Sequence, residues 1–256
     1  MNPRELQLQK NNIDMDVWEH VGELRRRLIR CIATVVFTFA VLIYIGPERV
    51  MDAVVAPVKE QGVQLIYLGL ADALYVQLKV VFLCAVVLAA PVLLWQIWAF
   101  VRPALYPEER KLAIGWAVFS LLLFAAGVAF GYGVVFLSAL GFFVYAGAGT
   151  AMPLFAIDRY VNFLLGFVIP FGLIFEMPLA CTIAAKAGVL NADTLRRGRR
   201  FAVLLSFIVS ALLTPPDVLS QIMMAVPTIL LFECSIYCTG WAERSFAEKK
   251  VGSVHF

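Results

Sequence analysis

The sequence has little charge for its length. Asp, Glu, Lys and Arg make up 15% of the 256 residues and 62% are hydrophobic, whereas soluble domains carry about 25% charged residues. The mean hydropathy is +0.85. A water-soluble fold would expose too much apolar surface with this composition, so an integral membrane protein is indicated. We expect no cleavable signal peptide, because the first 30 residues are polar and contain no apolar core segment.

Residues that bind metals or act as nucleophiles are also scarce. His20 and His255 are the two histidines, and the five cysteines show neither Cys-x-x-Cys spacing nor a Cys/His cluster. We therefore expect no metal, no cofactor and no disulfide framework. Gly-x-Ser-x-Gly, His-x-x-x-His and a phosphate-binding glycine loop are absent from the sequence as well. These absences disfavour a membrane-embedded enzyme.

Apolar runs between charged residues predict six transmembrane helices in an all-α membrane fold. They cover residues 28–47, 80–101, 112–143, 160–185, 201–214 and 218–241. We expect one domain over 1–256, with a cytoplasmic segment 1–27, a bundle 28–241 and a cytoplasmic tail 242–256. The fifth and sixth helices are predicted to be short. The fifth is only ~21 Å long against a hydrocarbon core of ~30 Å, so its Pro215-Pro216 turn is expected within the outer leaflet.

The distribution of basic residues predicts the orientation. With the N-terminus inside, 17 of the 21 lysines and arginines fall in inner segments. The positive-inside rule therefore favours both termini on the cytoplasmic side. Orientation and anionic lipid are sufficient to explain the basic clusters, so no nucleic-acid partner is expected.

The segment EHVGELRRRLIR, residues 19–30, precedes the first span. Val17, Val21, Leu24 and Leu28 share one helical face, which is typical of an amphipathic helix at the inner surface. An interfacial anchor is one interpretation, with Glu23 paired to Arg26 or Arg27 three or four residues on. A binding site is the other.

The inner connection FVRPALYPEERK, residues 100–111, carries Pro103 and two adjacent carboxylates, Glu108 and Glu109. Glutamates in the first turn of a helix interact favourably with the helix dipole. Alternatively, the two glutamates form an acidic site for a cationic partner.

Glu176 is the only charged residue between Leu164 and Ala185. An ionisable group inside a span suggests a functional site. The alternative is a local role, because Pro170 and Pro178 each remove a backbone donor and Gly172 adds a flexible point, so a kinked helix accommodates the carboxyl group.

The segment LLTPPDVLSQ, residues 212–221, joins the last two predicted spans. Asp217 is expected to cap the sixth helix through its side chain. Thr214 and Gln221 are polar groups that are costly in lipid unless a partner meets them.

Four motifs resemble those of the TatC family, the multispanning subunits of the twin-arginine protein translocase. The H-x-x-E-L-R-x-R-L pattern of that family is matched by His20, Glu23, Leu24, Arg25 and Arg27. The other three motifs follow in family order. Pro103 to Arg110 is similar to the P-x-L-Y-x-x-E-R loop of the family, and Phe171 to Pro178 is similar to its F-G-x-x-F-E-x-P span. The last hairpin of the family is resembled by Thr214 to Asp217 together with Ser220, Gln221, Pro227 and Glu233.

The resemblance implies a function and a site. Family members recognise signal peptides with consecutive arginines and help to move folded proteins across the bacterial cytoplasmic membrane, driven by the proton-motive force. By motif, Glu23 and Glu109 would bind the arginines, while Arg25 and Arg27, with His20 and Leu24 in the same motif, would orient the carboxylates or meet the peptide.

The resemblance also implies partners: single-span TatA- and TatB-type proteins, and further copies of the chain. Glu176, Thr214, Asp217, Gln221 and Glu233 are then candidate polar contacts within the membrane, and Pro103, Gly172, Pro178, Pro215 and Pro216 are structural. The alternative function is a proton-coupled transporter of small solutes that uses Glu176.

Overall fold

The computed structural model describes the backbone of residues 3–60, 62–101, 113–147, 154–214 and 217–252, and within these ranges the side chains of residues 21–60, 62–101, 114–146, 154–214 and 217–244. Ten α-helices occur in these ranges: α1 Pro3–Ile45, α2 Pro47–Glu60, α3 Asp72–Val101, α4 Ala113–Phe130, α5 Leu137–Gly147, α6 Ile157–Ile174, α7 Met177–Lys186, α8 Ala192–Arg197, α9 Arg199–Leu213 and α10 Val218–Gly252. A π-helical segment, Gly131–Phe136, joins α4 to α5.

Five segments of the described chain are long and apolar enough to cross a membrane. They are Val21–Ile45, Asp72–Val101, Ile114–Ala146, Ile157–Lys186 and Val218–Arg244. The predicted all-α membrane fold is confirmed. Helix α9 has 15 residues, which corresponds to ~22 Å at 1.5 Å per residue. Because it is this short, its crossing of the membrane stays a prediction, and so does the count of six spans. The orientation of the chain also stays a prediction.

The prediction of a short sixth helix is wrong. Helix α10 runs for 35 residues from Val218 to Gly252. The chain beyond Trp241 consists mainly of good helix formers such as Ala, Glu and Lys, so the helix continues past its apolar part. The predicted amphipathic segment before the first span likewise belongs to the continuous helix α1. Both predicted segment boundaries, 27/28 and 241/242, therefore fall inside helices.

Three elements at the predicted outer side were missing from the prediction. Helix α2 buries Met51, Val55 and Val58 on one face, which is the spacing of an amphipathic helix packed on a core. Strands β1, Gln64–Ile66, and β2, Leu154–Ala156, pair in parallel, with Leu65 opposite Phe155. The hydroxyl of Tyr160 donates to the carbonyl of Val54 at 2.8 Å and ties α6 to α2.

Aromatic side chains form the centre of the core. Phe163 and Phe167 lie one turn apart on α6 with their ring centroids 4.9 Å apart, and Phe136 of the π-helical segment is 5.7 Å from Phe163. Phe136, Phe167 and Phe171 are fully buried. Gly127 of α4 faces the backbone carbonyl of Phe171 with no room for a Cβ atom. Small residues of this kind let transmembrane helices approach closely.

Candidate functional site

Glu23 and Arg27 form a partly buried ion pair on the side of α1 that faces α3. Arg27 donates from Nε to Glu23 Oε1 at 3.0 Å and also from Nη2 to the same oxygen. The side chain of Glu23 is 31% exposed and that of Arg27 is 18% exposed. The pair follows from the spacing of four residues along a helix. It confirms the predicted pairing of Glu23 with one of the following arginines.

Arg27 also connects this pair to a second span. Its Nη1 donates to Gln96 Oε1 of α3 at 3.4 Å. Helix α3 ends soon afterwards at Val101, where the predicted inner connection begins. The structure therefore places Glu23 beside the end of α3 from which the Glu109 segment leaves. Pro103 and Glu109 themselves lie outside the described residues.

The remaining residues of the first motif lie on the same helix. Leu24 and Arg25 are exposed. His20 belongs to α1, but its side chain lies outside the described part. This part of α1 thus carries a partly exposed acidic group next to exposed basic and apolar side chains.

Glu176 lies at a break between α6 and α7. The helix is interrupted at Phe175 and Glu176, and Pro178 occupies the first turn of α7. Ser120 of α4 donates from Oγ to Glu176 Oε2 at 2.8 Å. Oε1 is buried and has no hydrogen-bond partner among the described residues. The span is interrupted at this point, which agrees with the alternative of a local role for Glu176, and the carboxyl group is directed at α4.

Gly172 lies one turn before this break and packs against the same helix. A Cβ atom at Gly172 would lie 2.8 Å from Cε2 of Phe124. The contact requires a residue without a side chain because the Phe124 ring fills the space. The predicted structural role of Gly172 is therefore close packing against α4 rather than flexibility.

Some polar groups around the last hairpin have partners within the chain, whereas Asp217 Oδ1 and Ser220 Oγ are buried and have no hydrogen-bond partner among the described residues. Asp217 Oδ2 accepts from the backbone N–H of Ser220 at 2.7 Å, which confirms the predicted cap of α10. Thr214 Oγ1 donates to the carbonyl of Ser210 at 2.8 Å, and Gln221 Nε2 donates to the carbonyl of Phe207 at 3.2 Å. Pro215 and Pro216 lie outside the described residues.

Glu233 pairs with a residue that the sequence did not single out. Arg199 at the start of α9 donates from Nη2 to Glu233 Oε2 at 2.7 Å. The sequence does contain an indication of this ion pair, because Glu233 is the only acidic residue between Val218 and Trp241 and α9 begins with two arginines. Ser120 and Gln96 were missed too. Ser120 is the only Ser or Thr in α4, but its partner lies on a separate element.

Comparison with known proteins assigns the chain to a family. The model of the Sec-independent protein translocase protein family TatC matches residues 19–227. The chain belongs to the TatC family.

Individual relatives agree with this assignment over nearly the whole chain. The TatC protein of Desulforapulum autotrophicum is 37% identical over 235 residues, which cover 91% of this chain and 85% of the relative. The TatC protein of Escherichia coli K12 is 37% identical over 221 residues and covers 85% of each chain.

A solved structure shows that the fold is shared as well. A crystal structure of the twin-arginine translocase receptor TatC superimposes with a TM-score of 0.80 at 34% identity, covering 88% of this chain and 99% of that one. The chain is therefore a multi-pass membrane protein of the Sec-independent, or twin-arginine, protein translocase. The comparisons do not favour the alternative of a small-solute transporter.

Proposed function

We propose that the chain is the receptor subunit of a twin-arginine translocase in the bacterial cytoplasmic membrane, and that it recognises signal peptides with consecutive arginines through Glu23 and Glu109. Bound cargo is then transported in the folded state with the proton-motive force as the energy source. The observation that carries the proposal is the match to the TatC family over residues 19–227, which include Glu23 and Glu109. The contact of Glu23 with a guanidinium group, that of Arg27, is compatible with it.

That contact is a local example of the chemistry that an arginine signal requires. A guanidinium group is always charged and presents several N–H donors in a fixed plane. Glu23 accepts from Nε and Nη2 of one such group. A carboxylate that receives two donors from one guanidinium distinguishes arginine from lysine by geometry, because an ammonium group lacks the planar fork.

The position of Glu23 supports a second carboxylate in the same site. Arg27 holds Glu23 close to Gln96 near the end of α3, and the segment that follows α3 contains Glu109. Two carboxylates on one surface would bind two consecutive arginines together. Arg25 and Arg27 do not bind arginine directly; in this proposal Arg27 orients Glu23 and Arg25 meets peptide carbonyls.

The proposed partners are single-span TatA- and TatB-type proteins and further copies of the chain. The side chains of Thr214 and Gln221 already donate hydrogen bonds to the carbonyls of Ser210 and Phe207. Docking on the last hairpin would therefore use the exposed apolar face of α9, which is formed by Phe201, Leu204, Ile208 and Leu212. One chain of this size has no room for a pore that passes folded cargo, so several copies assemble.

Photo-crosslinking of an Arg-Arg signal peptide to the chain in membrane vesicles tests the site. Glu23→Gln and Glu109→Gln are expected to lower crosslinking at least about tenfold, equivalent to ~1.4 kcal/mol of binding free energy. Glu108→Gln, next to Glu109 in sequence, and Glu48→Gln, at the opposite end of the first span, are the matched controls and should crosslink normally. Normal crosslinking by the Glu23→Gln/Glu109→Gln double variant would show that the site lies elsewhere.

A further inference from the structure

A cavity of about 500 Å³ lies at the end of the bundle opposite Glu23, next to the strand pair β1–β2. Ile66 and Phe155 of the two strands line it together with Leu140, Phe143 and Phe163 of the spans. The volume falls within the range of small-molecule sites, roughly 300–1,000 Å³. A mainly apolar lining that includes four aromatic side chains favours a hydrocarbon occupant.

Arg159 is the charged residue among the described residues that line this cavity. It is exposed and makes no hydrogen bond or ion pair within the described part of the chain. The adjacent carboxylate of Asp158 does not neutralise it, because Asp158 Oδ1 lies 3.9 Å from Lys79 Nζ and accepts from Asn162 Nδ2 at 3.1 Å. The cavity therefore combines an apolar interior with an uncompensated guanidinium group.

The surface around the cavity is apolar as well. Tyr67 and Leu68, directly after β1, and Leu70, in the turn before α3, are exposed, and so is Leu154 of β2. Exposed apolar and aromatic residues at the end of transmembrane helices are typical of the membrane interface. A ligand from the bilayer would therefore meet a continuous apolar surface on its way to this cavity.

We propose that this cavity binds an anionic phospholipid, with one acyl chain against Phe143 and Phe163 and the headgroup phosphate, whose charge no cationic headgroup balances, on the guanidinium of Arg159. A guanidinium group matches a phosphate through two parallel hydrogen bonds. With the predicted orientation of the chain, the lipid belongs to the outer leaflet. The site is separate from the proposed arginine-binding site at the other end of the bundle.

Lipid binding to the purified full-length chain tests the proposal by native mass spectrometry, with phosphatidylglycerol and phosphatidylcholine of identical acyl chains as probes. The wild-type chain should retain phosphatidylglycerol more strongly. Arg159→Gln should weaken phosphatidylglycerol binding about fivefold, since one basic residue near anionic lipid contributes on the order of 1 kcal/mol. Arg159→Lys should keep most of the binding.

Two further variants separate the headgroup from the acyl chain. Arg49→Gln removes another exposed basic residue at the same end of the bundle and should bind as the wild type does. Ala156→Phe narrows the cavity, of which Ala156 is part of the lining, and should weaken both lipids. Equal binding of the two lipids by the wild-type chain, or equal effects of Arg159→Gln and Arg49→Gln, would overturn the proposal.

The test stands even if Arg159→Gln does not fold, because unchanged phosphatidylglycerol binding by Ala156→Phe would also overturn it. Crosslinking of the Arg-Arg signal peptide should be unaffected in Arg159→Gln. The lipid site and the signal-peptide site can thus be refuted independently of each other.

Discussion

Ser120 and Glu176 join two spans through a hydrogen bond of 2.8 Å, which the serine hydroxyl donates to one oxygen of the carboxyl group. Ser120 is fully buried, and the second oxygen of Glu176 has no hydrogen-bond partner among the described residues. A polar group within a membrane span is costly without such a partner. The contact explains how a glutamate is accommodated at the break between α6 and α7.

Glu176→Gln should retain most transport of a folded cargo with an Arg-Arg signal, whereas Glu176→Leu should lose most of it. Glutamine still accepts from Ser120, but leucine leaves that hydroxyl buried and unpaired, which costs about 1–3 kcal/mol. Transport assays and thermal unfolding in detergent measure the two effects. Equal loss in both variants would indicate that Glu176 must ionise or titrate.

Arg27→Gln should weaken binding of an Arg-Arg signal peptide about fivefold, because a partly exposed ion pair contributes up to ~1 kcal/mol to the orientation of Glu23. Arg27→Lys should bind the peptide more tightly than Arg27→Gln and less tightly than the wild type, because lysine keeps the positive charge but cannot make the two-donor contact. Arg26→Gln, on the same exposed helix, is the control. Peptide titration against the purified chain gives the affinities, and tighter binding by Arg27→Gln would mean that Arg27 competes with the peptide.

Gly127→Ala should destabilise the protein by about 1–3 kcal/mol, the usual cost of overpacking. The new Cβ atom would overlap the backbone carbonyl of Phe171, and it would lie 2.9 Å from Cβ of Phe175. Gly141→Ala is the matched control, because a Cβ atom at Gly141 would meet no other group within 4 Å. Unfolding transitions in one detergent compare the two, and similar transitions would contradict the close approach of α4 and α6.

Arg199 and Glu233 should show a coupling energy of about 0.5–1 kcal/mol in a double-mutant cycle with Arg199→Gln and Glu233→Gln. Their side chains are 47% and 33% exposed. The pair Lys59–Asp52, with exposures of 63% and 77%, is the control and should couple more weakly. Raising the salt concentration should reduce both values. A coupling of zero at low salt would show that the pair does not hold α9 against α10.

Interactions set by local spacing were predictable from the sequence. Asp217 caps α10 because a carboxylate directly before a helix reaches the N–H three residues on. Glu23 meets Arg27 because residues four apart share a helical face. The spans were predictable for a similar reason, since hydrocarbon excludes charge along a continuous stretch.

Contacts between distant elements were not predictable in this way. Ser120 and Glu176 are 56 residues apart, and Arg27 and Gln96 are 69 apart. Their meeting depends on how the spans pack, which hydropathy does not encode. Helix α2 was missed because charged residues interrupt its apolar ones, so only the one-sided pattern of Met51, Val55 and Val58 indicates it.

The strand pair β1–β2 has a mechanical consequence. It fastens the chain before α3 to the chain before α6, with Gln64, Leu65 and Ile66 opposite Leu154, Phe155 and Ala156. The chain segments that lead into α3 and α6 are thus held together on that side. If α3 and α6 move apart, the strand pair acts as the pivot. The displacement is then greatest at the opposite end of the bundle, where Arg27 donates to Gln96.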